Sequence, residues 1–148
     1  AVARRNVAAY RLKSRVRLVR SDLFRDFRAG PYDVIVANPP YVDARAMRSV
    51  PAEYRREPRL ALAGGGDGLA FVRRILHEAR RFLRPRGLLV VEIGRHRREL
   101  ERAFPKTPFT WLETSAGDGL VFLLHREDLP PAPEEVQSRR EPAKRAAR

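Results

Sequence analysis

Asn38-Pro39-Pro40-Tyr41 follows directly on the apolar run Val34-Ile35-Val36-Ala37, which places a stiff, polar-tipped corner at the end of a buried strand. Each proline fixes φ near about −65° and removes a backbone N–H, so the corner offers acceptors, namely the Asn38 side chain and the carbonyl oxygens beside it. Such a set can take both hydrogens of a planar amide or amino group, and Tyr41 adds a flat face beside them. Two acceptors on one –NH2 draw its lone pair out of conjugation, and the nitrogen can then attack an electrophilic methyl carbon. The chemistry is methyl transfer to nitrogen. A plain strand-ending turn is the alternative these residue types leave open, because Asn and Pro are common in turns.

The flanks sharpen the choice. Ser21-Asp22-Leu23-Phe24 lies upstream, and Glu57-Pro58, Gly64-Gly65-Gly66-Asp67-Gly68-Leu69 and Gly87-Leu88-Leu89-Val90-Val91-Glu92-Ile93-Gly94 follow in order. With the corner, these stretches resemble the protein-(glutamine-N5) methyltransferase family, class I enzymes that use S-adenosylmethionine. Adenine-N6 DNA methyltransferases share the Asn-Pro-Pro-Tyr corner but not the downstream series. Two branches of the family are in question, one acting on peptide-chain release factors and one on the third protein of the large ribosomal subunit. The second is favoured by Tyr41-Val42-Asp43-Ala44 leading to Pro51-Ala52-Glu53-Tyr54-Arg55-Arg56-Glu57-Pro58, by Phe104-Pro105 with Pro108-Phe109-Thr110-Trp111-Leu112-Glu113, and by Gly117-Asp118-Gly119-Leu120-Val121-Phe122. The likeness runs from about Ala1 to Leu129.

The resemblance implies roles residue by residue. Asp22 and Leu23 match the position beside the cofactor adenine, where a carboxylate accepts from its amino group; a turn-capping role for Asp22 is the alternative. Asn38 and the Pro39 carbonyl would accept both hydrogens of the substrate glutamine amide, with Asn38 also facing the cofactor. Pro40 would fix the angle and Tyr41 would pack on the amide plane. Glu57 matches a loop that shapes the substrate pocket, although Arg55, Arg56 and Arg59 around it also allow simple charge pairing. A sulfonium leaving group is neutral on departure, so positioning and desolvation should dominate and no general base is assigned. Asp33, Glu92 and Trp111 read as structural.

The elements that must position these groups form an α/β pattern. Val16 to Val19 alternates with arginines as a short strand delivering Asp22, and Val34 to Ala37 is apolar enough for a central parallel strand covered on both faces. Residues 43 to 66 are too long for a simple connector and are expected to form a substrate-facing lid. Asp67 is placed to cap a helix with Val72, Ile75, Leu76, Ala79, Phe82 and Leu83 on one face, ended by Pro85-Arg86-Gly87. Leu88 to Ile93 is a second buried strand, followed by a helix near His96 to Phe104. Pro108 to Glu113 and Leu120 to His125 then make an antiparallel carboxyl-terminal pair.

The family fold is Rossmann-like, with a mostly parallel sheet and antiparallel carboxyl-terminal strands, and only its C-terminal part is expected here. Neither the glycine-rich first strand-turn-helix that cradles the cofactor nor the acidic residue after the second strand is present; Gly64 to Gly68 follows the corner instead. Residues 1 to 129 are thus expected to be a partial catalytic domain. The β-strand at Val34 would then present an open edge, and the isolated chain would be marginally stable and bind S-adenosylmethionine weakly.

Composition narrows the setting. The 148 residues carry 31 basic and 18 acidic side chains, a net charge of +13, and only Lys13, Lys106 and Lys144 are lysines. Such a field would attract RNA, or a basic-protein complex already wrapped in RNA, and the ribosomal protein substrate itself is what the resemblance implies. A non-catalytic, basic RNA- or ribosome-binding module is therefore the competing class. The absence of cysteine excludes disulfides and thiolate metal sites, and His77, His96 and His125 lack ligand spacing, so no metal is expected. No apolar run approaches about 20 residues, which points to a cytoplasmic protein without a membrane partner. Residues 130 to 148, rich in proline and charge, are expected to be a disordered basic tail.

Overall fold

One sheet in the order β1-β2-β4-β3 organises the molecule, with β1 at Tyr32–Ala37, β2 at Leu83–Glu92, β3 at Thr110–Leu112 and β4 at Val121–His125. The computed structural model describes residues 2–28, 30–41, 67–115 and 117–131. The expected lid at 43 to 66, Glu57 within it, and the tail beyond Pro131 lie outside the described residues. Among the described residues there are three α-helices: α1 (Val2–Ala9), α2 (Ala70–Glu78), which runs into a 3-10 turn at Ala79–Arg81, and α3 (Arg97–Ala103).

β1 and β2 are parallel, with Ile35 opposite Leu89 and Ala37 opposite Val91. The crossover between them ends in α2. β2 and β4 are antiparallel, as are β4 and β3, so the hairpin expected at the carboxyl end is present. The sheet is mixed, and the expectation of a mostly parallel one is corrected: among the described strands β1 finds only one parallel neighbour, while the hairpin supplies two antiparallel pairings. Val16 to Val19 is not a strand either. No described strand runs beside it, so its backbone has no ladder to join, and Val16, Leu18 and Val19 are exposed.

The core lies on one face of the sheet. Ile35, Leu89, Val91, Phe122 and Leu124 share that face by register, and Val72, Ile75, Leu76 and Ala79 of α2 pack over it at helical spacing. α3 contributes Leu100 and is tied to β3 by Trp111, whose indole N–H donates to Glu101 Oε1 at 2.9 Å. Phe109 and Trp111 each meet Phe122 edge to face with ring centroids 5.0 and 5.8 Å apart and lie tilted against one another at 5.8 Å, and Trp111 therefore serves packing as expected. The opposite face of β1 is open. Val34 is 48% and Val36 76% exposed, so β1 is covered on one face and not on both as its apolar run suggests, while its place at the end of the described sheet leaves the open edge that was expected.

Two local departures have clear causes. Asp67 does not cap α2 at the N-cap position, which Leu69 occupies; its Oδ1 accepts from the N–H of Leu69 itself, and both oxygens grip Arg73. Pro85-Arg86-Gly87 does not stand between a helix and a strand but bulges out of β2, whose pairing with β1 jumps from Leu83 opposite Tyr32 to Leu88 opposite Val34. A bulge leaves proline without a ladder hydrogen bond to donate. Arg86 there takes φ +61°, and its N–H donates to Glu127 Oε1. No described helix is long and apolar enough to cross a membrane.

Candidate active site

The corner leaves β1 where the parallel ladder ends, so Asn38 is the first residue past the Ala37–Val91 pairing. Pro39 is buried, Pro40 half-buried and Asn38 exposed, an arrangement in which the prolines brace the corner and the amide side chain meets solvent. A cavity of about 990 Å³ opens at this end of the strand. Its walls include Asn38, Pro39 and Pro40 on one side and Ser21, Asp22 and Leu23 on another, with Phe71, Arg74 and Ile75 of α2 beneath. Residues 16 apart in sequence, Asp22 and Asn38, thus line one space.

The turn carrying Asp22 is fixed from both sides. Ser21 Oγ accepts from the Asp26 N–H at 3.0 Å, and Phe27 N–H bonds back to the Phe24 carbonyl. Phe24 stacks on Phe82 with ring centroids 4.7 Å apart. Leu23 adopts φ +50°, a left-handed conformation uncommon for a branched apolar residue, and its side chain packs against the core. The capping role left open for Asp22 belongs to the Ser21 hydroxyl.

Asp22 instead receives a two-pronged contact from α2. Arg74 Nη1 and Nη2 donate to Asp22 Oδ1 and Oδ2 at 3.1 and 3.2 Å, and this guanidinium holds the carboxyl below its ordinary range. Sequence separation of 52 residues concealed the pair. An ionised carboxylate beside the apolar walls of Leu23, Phe71 and Ile75 suits a flat heterocycle carrying an exocyclic amino group, so the chemistry of the residues present fits an adenine end.

Tyr41 is turned elsewhere. It is not among the cavity-lining residues; its hydroxyl donates to Glu92 Oε1 at 3.2 Å across the end of β2. Gly94, at φ +56°, lies under its ring: a Cβ there would stand 2.8 Å from Tyr41 Cε2. Gly68, at φ +76°, gives way to the Tyr41 carbonyl oxygen, which a Cβ would meet at 2.6 Å, and to the His96 ring at 2.8 Å. These two glycines and Glu92 were absent from the sequence-based site. Gly94 and Glu92 fall in a run that reads as buried strand, and their contact with the corner depends on register. Among the described residues no three His, Cys, Asp or Glu side chains are grouped to hold a metal.

No protein-family model matches the chain. Curated proteins do. A ribosomal protein uL3 glutamine methyltransferase of Neisseria meningitidis is 56% identical over 128 residues, 86% of this chain and 42% of that protein. By sequence, the chain is similar to one part of that protein. Proteins of the same name from Burkholderia pseudomallei and Bordetella pertussis are 53% and 50% identical, with 88% and 86% of the chain covered. The chain spans less than half the length of these relatives, 42 to 45%. The names favour the ribosomal-protein branch that the stretches around Tyr41, Phe109 and Gly117 suggest, and do not favour the release-factor branch.

Proposed function

We propose that this chain is part of an enzyme that methylates the side-chain amide nitrogen of a glutamine in ribosomal protein uL3, with S-adenosylmethionine as methyl donor. One observation carries the reading: the Asn38-Pro39-Pro40 corner and the Asp22-Leu23 turn face one cavity, so an amide held by the first lies beside a heterocycle held by the second. The identity to enzymes of that name over 86% of the chain supports it.

The donor supplies an electrophilic methyl carbon on a positively charged sulfur. The protein's part is placement. Asn38 Oδ1 and the Pro39 carbonyl oxygen accept the two amide hydrogens, which localises the lone pair on nitrogen and aims it away from the acceptors. Pro40 holds the acceptors at a fixed angle because its φ cannot relax. Asp22 takes the exocyclic amino group of the adenine, and Arg74 keeps that carboxylate ionised and oriented. The N–C bond would form as the S–CH3 bond breaks, the electron pair passing to sulfur to leave a neutral thioether, and the surplus proton on the amide nitrogen, facing the acceptor oxygens, would leave to water. Holding both partners in line supplies most of the acceleration in such a transfer.

The test is isotope transfer by the polypeptide that carries this chain. Labelled S-adenosylmethionine is offered with uL3 or with a release factor, and the product is mapped by mass spectrometry. Label on a glutamine side-chain nitrogen of uL3 is expected. Label on the release factor alone would replace the substrate assignment.

A further inference from the structure

The bond from Tyr41 to Glu92 bears on how the corner is aimed. Glu92 is the last residue of β2, half-buried, and Tyr41 is its hydrogen-bond partner among the described residues. Among the described residues this carboxylate meets a phenol rather than a guanidinium, in a chain with 31 basic side chains. Packing alone does not call for it: a phenylalanine would lie on Gly94 as well as Tyr41 does. The hydroxyl instead fixes where the far end of the corner is tied.

We propose that Glu92 is a positioning residue for the amide-binding corner, acting through Tyr41; this rests on the function proposed above. Among the described residues two anchors on β2 hold the corner. At one end Ala37 is locked into the ladder against Val91, and at the other Tyr41 is held by Glu92, the next residue of the same β2 strand. Between them Pro39 and Pro40 have fixed φ, which leaves few torsions free. Tying both ends to one strand therefore sets the direction of the Asn38 side chain and the Pro39 carbonyl. Gly94 and Gly68 permit it, since a side chain at either position would collide with Tyr41. Releasing the Glu92 end lets the corner swing, and a shift of about 1 Å in a bound reactant can cost about a hundredfold in rate.

The polypeptide carrying the chain is assayed for methyl transfer with Glu92→Ala, Glu92→Gln, Tyr41→Phe and the pair Tyr41→Phe with Glu92→Ala. Expected is a fall in kcat of about tenfold to a hundredfold for Glu92→Ala with KM for the donor little changed. Glu92→Gln, which still offers an acceptor to the phenol, recovers most of it, and Glu92→Ala adds nothing in the Tyr41→Phe background. Tyr41→Phe removes the same bond without touching β2, so it reports even where Glu92→Ala fails to fold. Full kcat in both single variants, with Asn38→Ala inactive, overturns the proposal; so do losses that simply add. Full turnover by Asn38→Ala would instead discard the functional assignment, and the Asn38 side-chain NH2 resonances of the 148-residue chain then decide. Resonances shifted by Glu92→Ala and restored by Glu92→Gln uphold the positioning role, whereas resonances unmoved by either overturn it.

Discussion

Gly94 shows how tightly single residues are set around the corner. With φ at +56° and a Cβ position 2.8 Å from the Tyr41 ring, Gly94→Ala meets both backbone strain and a clash, and should lose about 1–3 kcal/mol. A thermal melt checks it; an unchanged midpoint would show that Tyr41 does not rest there. Asp67 makes a different residue-scale prediction. Hydrogen bonds from Arg73, with the Leu69 N–H, take its carboxyl from the ordinary 3.8 to about 2. A depressed folded value means that this stabilisation is present above the unfolded 3.8 and is lost as pH falls through about 2. Melting temperature should therefore decline below pH about 4, more shallowly in Asp67→Asn. Solvent screening keeps the effect small, since both partners are more than a third exposed. An equal decline in Asp67→Asn would assign the slope to other carboxylates. At this scale residue type brought Asn38, Pro39 and Pro40 forward and the family resemblance brought Asp22 and Leu23, and all five line one cavity. Arg74, Glu92 and Gly68 were not legible in the sequence, because their roles exist only once distant segments meet.

At the level of elements, helical and strand periods read correctly wherever one face is buried. The apolar stripe from Val72 to Ala79 and the carboxyl-terminal hairpin are where the sequence pattern puts them. The misread stretches are those where local residue preference and pairing disagree. Pro85 ends a helix in isolation, yet α2 stops at Glu78 and β2 already begins at Leu83, with the proline accommodated in a bulge. Val16 to Val19 alternates like a strand, but alternation makes no strand without a partner. Leu89, fully buried between Ile35 and Leu124 on the covered face, joins the parallel and antiparallel halves of the sheet. Leu89→Ala should cost about 2–5 kcal/mol in a urea titration. A loss below about 1 kcal/mol would mean that the two halves are stable without each other.

For the whole molecule, the exposed valines of β1 and the open row of backbone groups beside them make a ready template for pairing with another strand. An apolar hollow of about 330 Å³ lies along this strand, lined in part by Phe24, Phe27 and Val36. Val36→Lys, at 76% exposure, should reduce concentration-dependent association of the chain in light scattering while leaving its melting temperature unchanged. Persistent association would place the sticky surface elsewhere. The open edge was expected from the missing neighbouring strands, but the exposed face and the hollow were not, since Val34 to Ala37 reads as covered on both faces. The active corner is nevertheless assembled beside this open edge, and its function is the claim on which the account stands. Methyl transfer to uL3 by the polypeptide carrying this chain, compared with the same polypeptide bearing Asn38→Ala, measures it directly. Loss of turnover by at least about a hundredfold, with the fold intact, is predicted for the removal of a preorganised acceptor; turnover equal to that of the unaltered protein would contradict it.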